Sequence, residues 1–266
     1  MSNYNKEGIG NVLFVSIAVC LVCSIAVAGA AVALKPLQKA NKELDRKENI
    51  LRAAGLLPDG ATTDAEGHTV DQLFDRFKVR VVDLDTGEFT DAVSPKTYDP
   101  LKAARDPKMS MHLTPEQDIA TIVNRERYEI VYLLYDSDGK LERIVMPVRG
   151  YGLWGTLYGY LALKGDLDTI AGLGFYEQKE TPGLGGEVTN PAWKAQWPGV
   201  KAFNASGNPA VELVKTRAPA GSPDASHQVD ALSGATLTSR GVQHLVRFWL
   251  GDLGFGPFLK HLQETS

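Results

Sequence analysis

The hydrophobic pattern at the start of the chain changes character along its length. Residues 12–34 form an uncharged apolar run, and about 20 such residues are needed to cross the hydrocarbon core of a membrane. The run is longer than the core of a typical signal peptide, which has about 7–15 residues. From Leu37 to Leu51, apolar residues recur among charges at roughly helical spacing, and Gly55 can end a helix. We therefore predict an uncleaved membrane anchor followed by a helix that rises from it.

The pattern after residue 70 predicts strands more often than helices. Residues 78–84 are rich in β-branched side chains, and residues 129–135 and 141–148 flank the turn sequence D-S-D-G, which is a hairpin signal. Thr114 followed by Pro115 predicts a helix that runs to about Asn124. No regular β-α-β alternation is present, so we predict an α+β fold. It has a mixed, mainly antiparallel sheet with packed helices, preceded by one transmembrane helix.

Composition and charge exclude several classes of protein. The net charge is −4, with 32 acidic and 28 basic residues, whereas nucleic-acid binding needs clustered Lys and Arg. The cysteines, Cys20 and Cys23, both lie in the apolar run, and we interpret them as small apolar residues one helical turn apart. The five histidines lack ligand spacing, so no metal site is predicted. Hydrolase and nicotinamide-binding signatures are absent from the sequence.

A Ser/Thr-rich segment at residues 230–243 carries the first candidate chemistry. It reads D-A-L-S-G-A-T-L-T-S-R-G-V-Q, and from Val242 apolar residues recur at i, i+3, i+4 and i+7 before Gly251. This spacing predicts an amphipathic helix whose N-terminus lies in the Ser/Thr-rich stretch. Free N–H groups and a positive dipole at that end can bind a phosphate. Local chemistry alone fits an ordinary capped helix at least as well.

Two glycine-rich segments are candidates for contact with a flat ligand. Residues 180–185, E-T-P-G-L-G, predict a tight loop whose amides can donate hydrogen bonds to the edge of an aromatic ring. Residues 152–155, G-L-W-G, lie among further glycines and aromatics, and Leu153 and Trp154 can form a wall of an aromatic cofactor site. A plain loop and ordinary core packing are the respective alternatives.

In this order along the chain, the three segments resemble the signatures of the FMN-binding domain family. D-x-x-S-G-A-T at 230–236 resembles its acceptor motif, and E-T-P-G-L-G and G-L-W-G resemble its other two. LDRKENILRAAGL at 44–56 and FWLGDLGFGPFL at 248–259 further resemble the C subunits of the Na+-translocating NADH:quinone oxidoreductase. The resemblance spans nearly the whole chain.

The resemblance implies FMN joined to the hydroxyl of Thr236 by a phosphodiester, which a separate flavin transferase installs. Asp230 then serves recognition by that transferase or shapes the turn. The remaining motif residues are Ser233, Gly234 and Ala235, and the candidates for cofactor contact are Leu153, Trp154, Thr181, Gly183, Leu184 and Leu232. No catalytic residue and no metal are expected.

The resemblance also implies a place in a larger assembly. The chain would be a membrane-anchored electron-carrier subunit, inactive alone, that relays electrons between other subunits toward quinone. We divide it into a tail (1–11), a transmembrane helix (12–34), an anchor-proximal helix and insertion (35–127) and the FMN-binding domain (128–266). The bases after the anchor, by the positive-inside rule, favour a cytoplasmic domain. The family implies the periplasmic side of the bacterial cytoplasmic membrane, which we prefer because an exported transferase installs the cofactor.

Two alternatives remain at this point. The flavin subunit of the related ferredoxin:NAD+ oxidoreductase complex shares the acceptor motif and the E-T-P-G-L-G loop. The additional stretch at 35–127 favours the longer quinone-reductase subunit. A membrane-anchored binding or sensory module without flavin is the other alternative, and there Thr236 would merely cap a helix.

Overall fold

A long helix opens the part of the chain that the computed structural model describes, residues 8–219 and 221–265. This helix, α1 (Ile9–Ala53), contains the predicted anchor, and it is long and apolar enough to cross a membrane. Its large apolar side chains between residues 12 and 34 are exposed. Gly55, with a φ of +71°, follows its end as predicted. The chain divides after Arg46 into two compact units.

The second unit, from Lys47, holds the remaining strands and helices. The strands are β1 (Phe77–Asp83), β2 (Glu88–Thr90), β3 (Ser110–His112), β4 (Asn124–Glu126), β5 (Tyr128–Tyr135), β6 (Leu141–Tyr151), β7 (Thr156–Lys164), β8 (Ile170–Glu177), β9 (Glu212–Val214) and β10 (Gln228–Asp230). The helices are α2 (Val70–Phe74), α3 (Pro100–Ala103), α4 (Pro191–Lys194), α5 (Thr236–Leu250) and α6 (Gly256–Thr265), with 3-10 turns at Gly185–Thr189 and Pro223–His227.

A six-stranded antiparallel sheet organises this unit, in the order β2-β1-β5-β6-β7-β8. Strands β3 and β4 form a separate antiparallel pair, and β9 and β10 form a parallel pair. The α+β class with a mainly antiparallel sheet is thus confirmed, as is the predicted hairpin of β5 and β6. The predicted division at residues 127 and 128 stays a prediction, and β1 and β5 pair across it along their length.

Hydrophobic side chains cover both faces of the sheet, because neighbours along a strand point to opposite sides. Val82 belongs to the cluster that includes Trp249 of α5 and Phe258 of α6. Val81, one residue earlier, belongs to the cluster that includes Ile50 at the end of α1. The first face therefore anchors α5, which begins at the candidate site.

The predicted helix from Thr114 to about Asn124 is wrong. The segment makes two short turns, in which the amide of Asp118 donates to the carbonyl of Thr114 and the amide of Thr121 donates to the carbonyl of Asp118. The carboxylate of Asp118 then accepts from the amides of Ile122 at 2.8 Å and Val123 at 2.7 Å. These side-chain bonds compete with the backbone bonds of a helix, so the chain turns into β4 instead.

Candidate functional site

The predicted amphipathic helix is confirmed as α5, and its first residue is Thr236. The residue before it, Ala235, occupies the N-cap position, and no side chain caps the first turn. Thr236 is therefore not the cap that an ordinary helix would have at this place. The first amides of α5 stay open to an external acceptor, and helix N-termini of this kind favour anions.

The hydroxyls around the start of α5 differ in exposure. Thr236 and Ser233 are exposed, whereas Thr238 and Ser239 are 0% and 3% exposed. The hydroxyl of Thr238 donates to the Glu180 carboxylate at 2.5 Å, and that of Ser239 donates to a backbone carbonyl at 3.0 Å. Of these four groups, only Thr236 and Ser233 can receive a large substituent without unfolding the helix start.

The E-T-P-G-L-G loop lies against the acceptor segment. Gly234 has a φ of +71°, and a Cβ there would meet Leu184 Cδ2 at 3.1 Å. Glycine thus serves both the left-handed turn and the close approach of the loop. Thr181, Gly183 and Leu184 are all exposed on this loop. The structure therefore brings together two segments that lie far apart in the sequence.

Glu180, the first residue of that loop, was not among the predicted site residues. It is 5% exposed, and its Oε1 accepts from the amides of Leu153 and Trp154 at 2.9 Å each. Its Oε2 accepts from Thr238. One carboxylate therefore joins all three motif segments, and no spacing along the sequence pointed to it.

Apolar side chains stand exposed around the start of α5. Trp154 is 64% exposed, and Leu153, Leu184 and Leu237 are also exposed. Sequence reasoning named the first three and missed Leu237, which directly follows Thr236. Leu232, also named, is only 6% exposed and packs in the core. An exposed apolar rim of this kind suits a flat aromatic ligand.

Two basic residues line a cavity of about 590 Å³ beside Thr236. They are Lys215, just after β9, and Arg240, one turn into α5, and both are exposed. Positive charge and open helix amides together suit a phosphate group. Phosphate-binding groups and an apolar rim are thus both present, and these are the two needs of FMN.

Asp230 is the last residue of β10 and precedes the turn into α5. Its carboxylate accepts from Arg217 Nε at 2.8 Å, and its carbonyl accepts from Trp193 Nε1 at 2.9 Å. No sequence pattern pointed to Arg217, because the pairing follows from the parallel β9–β10 contact.

A carboxylate–imidazole group lies elsewhere in the loop that follows α1. Asp64, Glu66 and His68 are close enough to hold a metal ion. Asp64 already accepts from the amides of Glu66 at 3.0 Å and His68 at 2.8 Å, and its carboxylate contacts the His68 ring. That contact lowers the pKa of Asp64. The group is explained as a hydrogen-bonded turn.

Besides Glu180, a group of buried charged residues lies on strands β4, β5 and β6. Glu129 and Glu126 are 4% and 1% exposed, and Arg149 Nη2 donates to Glu126 Oε2. The Arg149 guanidinium also donates to the carbonyl of Asn124 at 3.0 Å and lies over the ring of Trp249. Burial raises the pKa of Glu129 well above its ordinary value of 4.5, and the charge of Glu126 raises it further.

Comparison with known proteins first defines the class. The family model described as FMN-binding domain matches residues 152–251, which run from the G-L-W-G segment to the end of α5. This part of the chain is therefore similar to an FMN-binding domain. This similarity favours a flavin-binding chain over the alternative of a module without flavin.

Full-length relatives then define the family. The C subunit of the Na(+)-translocating NADH-quinone reductase from Pseudomonas aeruginosa is 54% identical over 98% of both chains. The protein of the same name from Vibrio vulnificus (strain YJ016) is 46% identical over 98% of both chains. The chain belongs to the family of C subunits of the Na(+)-translocating NADH-quinone reductase, rather than to the ferredoxin-linked relatives. It is thus a subunit of an oxidoreductase complex.

Solved structures agree with this membership. The crystal structure of NqrC from Shewanella oneidensis matches with a TM-score of 0.73 and 37% identity, over 85% of this chain and 99% of that one. The crystal structure of the protein of this family from Parabacteroides distasonis matches with a TM-score of 0.62 and 28% identity, over 85% of this chain and 96% of that one. Matches of this extent include most of the folded unit that carries the site.

Proposed function

We propose that this chain is a membrane-anchored electron carrier that holds FMN covalently on the hydroxyl of Thr236. It relays electrons between other subunits of a sodium-pumping NADH-quinone reductase, toward quinone. When bound, FMN supplies the capacity to accept electrons and pass them on. The observation that supports the attachment point is the exposed hydroxyl of Thr236 at the uncapped start of α5.

The residues around Thr236 suit a phosphodiester. Open amides of α5 and the side chains of Lys215 and Arg240 offset its negative charge. In the described part of the chain, no side chain hydrogen-bonds to the Thr236 hydroxyl. A threonine hydroxyl needs a base or a metal for activation, so a separate flavin transferase supplies it.

The apolar rim around the start of α5 would contact the flat ring system of FMN. Leu153, Trp154 and Leu184 offer apolar surface to a flat ring system, and the exposed loop at Thr181 and Gly183 offers amides to its edge. Of the remaining predicted residues, Gly234 provides the left-handed turn and Leu232 packs in the core. Asp230, Ser233 and Ala235 complete the predicted attachment motif.

A gel experiment tests the attachment point. The full chain is co-expressed with the flavin transferase, and its band is inspected for flavin fluorescence after denaturing electrophoresis. The wild-type band is expected to fluoresce and the Thr236→Ala band to be dark, because the ester oxygen is gone. Ser233→Ala is the matched control, since Ser233 is the other exposed hydroxyl of the motif. A dark wild-type band, or loss in Ser233→Ala with retention in Thr236→Ala, would contradict the proposal.

The anchor supports a single-pass topology. The apolar stretch of α1 spans the membrane, and the folded domain lies on the periplasmic side of the bacterial cytoplasmic membrane. Long domains can be exported despite basic residues beside the anchor. Alkaline phosphatase fused to the C-terminus is expected to be active. An inactive fusion in a stably expressed protein would place the domain in the cytoplasm.

A further inference from the structure

The Glu180 carboxylate is a junction between three segments of the site. Oε1 accepts two hydrogen bonds of 2.9 Å, from the amides of Leu153 and Trp154. Oε2 accepts from the hydroxyl of Thr238 at 2.5 Å, in the first turn of α5. Two of the three donors lie in the loop after β6 and the third lies in α5, so the carboxylate bonds to both segments at once.

Two glycines leave the space that this carboxylate occupies. A Cβ on Gly152 would lie 2.5 Å from Glu180 Oε1. A Cβ on Gly185 would lie 2.5 Å from Thr238 Oγ1 and 2.6 Å from Glu180 Oε2. Real side chains do not tolerate such distances, so a larger residue at either position would displace the carboxylate. Each glycine belongs to one of the two glycine-rich motifs.

The donors of Glu180 are neutral groups. Among the described residues, no basic side chain forms an ion pair with Glu180, which is 5% exposed. A buried carboxylate needs a counter-charge or hydrogen-bond donors to offset its lost hydration. Here two amides and one hydroxyl act as the donors. The position beside the first turn of α5 is also favourable for a negative charge. The carboxylate is therefore held in one place from three directions.

We propose that Glu180 is the positioning residue of the flavin site. It fixes the Leu153–Trp154 loop relative to the helix turn that carries Thr236, because Thr238 belongs to that same turn. It acts through these neighbours and does not bind the flavin itself. The role of Glu180 in fixing the loop does not depend on the proposed function. Only the expected effect of Glu180 on FMN rests on the proposed attachment at Thr236.

Two substitutions distinguish the effect of the length of the Glu180 side chain from the effect of its charge. Glu180→Gln keeps the length of the side chain and an oxygen that accepts from both amides, and it removes the charge. Glu180→Asp keeps the charge and shortens the side chain by one methylene, so it cannot reach both partners. A positioning role predicts that Gln resembles the wild type and that Asp does not. A purely electrostatic role predicts the reverse.

The first measurement is hydrogen exchange of the Leu153 and Trp154 amides in full-length protein that carries Thr236→Val. This background holds no flavin at the site, so the result is independent of the proposed function. Loss of a buried hydrogen bond is expected to speed exchange about tenfold in Glu180→Asp. Glu180→Gln should stay within about threefold of the Thr236→Val parent. Exchange at the parent rate in Glu180→Asp would overturn the proposal.

The second measurement is the visible circular dichroism of the covalently loaded protein, normalised to its flavin absorbance. A ring held by a fixed loop gives a signal that a mobile loop weakens. The signal is expected to fall at least about twofold in Glu180→Asp and to persist in Glu180→Gln. Glu177→Ala, which removes an exposed carboxylate nearby in the chain, is the control and should match the wild type.

The two measurements fail in different ways. If the wild-type chain takes up no flavin, the proposed function is wrong, and the exchange result still decides the role of Glu180. If the wild type is loaded and Glu180→Asp matches it in both measurements, the positioning role is wrong and the proposed function stands. If Glu180→Asp does not fold, Thr238→Val removes one of the three bonds in its place. Wild-type dichroism in loaded Thr238→Val would then overturn the positioning role.

Discussion

Two buried carboxylate sites in this molecule are compensated in opposite ways. Glu180 is held by backbone amides and one hydroxyl, with no ion pair among the described residues. Glu126 and Glu129 lie beside and in the sheet, where Arg149 pairs with Glu126, and burial raises the pKa of Glu129. The donors to Glu180 lie in a loop and a helix turn, whereas the positive charge beside Glu126 belongs to Arg149 on β6.

The Glu180 site fixes the position of neighbouring segments, whereas the site around Arg149 contributes to the stability of the fold. Two of the donors to Glu180 are backbone amides, so the carboxylate fixes the loop that carries them without a mobile counter-ion. An arginine buried with two carboxylates instead ties the sheet together, and its removal leaves charge in the interior. Trp249 links the two regions, since its Nε1 donates to the carbonyl of Arg149 at 2.7 Å and it belongs to α5.

The largest effect is expected from removing the arginine of the second site. Arg149→Met leaves Glu126 buried without its partner and should lower the free energy of unfolding by about 3–5 kcal/mol. Urea unfolding of the full chain in detergent measures this. Arg105→Met, at an exposed arginine, is the control and should cost less than about 0.5 kcal/mol. Equal midpoints for the two variants would remove the basis of the comparison.

An intermediate effect is expected from crowding the first site. Gly185→Ala places a Cβ against Glu180 and Thr238 and should lower the free energy of unfolding by about 1–3 kcal/mol. Gly174→Ala is the matched control, because no atom lies within 4 Å of a Cβ there. The same urea titration compares them. If both variants unfold alike, the Glu180 site is looser than its geometry indicates.

The smallest effect at neutral pH is expected from Glu129→Gln. The folded-state pKa of Glu129 is raised above 4.5, so its contribution to stability is full below that value and declines as pH rises toward the folded-state pKa. The variant cannot ionise, so its melting temperature should decline less between about pH 5 and about pH 9 than that of the wild type. If the melting temperatures of the variant and the wild type decline in parallel, the ionisation of Glu129 does not destabilise the fold.

Local pattern was enough for some of the regular elements of the fold. Helix α5 follows from apolar residues at helical spacing, and the β5–β6 hairpin follows from its turn sequence. The segment from Thr114 had equally good local signals for a helix. There the side chain of Asp118 takes the amides of the next turn, which no periodicity can reveal.

The candidate site was predictable only in part. Thr236, Trp154 and Leu184 were found because their motifs resemble those of a family. Glu180 was missed, although it begins one of those motifs, because its partners lie 26, 27 and 58 residues away. The same holds for Arg149 and Glu126, which are 23 residues apart and lie on two strands that do not pair with each other, β6 and β4. Contacts of this range depend on the assembled sheet.

The exposed hydroxyl at the start of α5 has a consequence for the order of assembly. A helix of this length is marginal in isolation, so its N-terminus exists as a defined surface only after α5 has packed on the sheet. A transferase that recognises this surface would act on finished domains and pass over unfolded chains. Loading with flavin would then serve as a checkpoint: the cofactor marks the copies of the protein that have already folded.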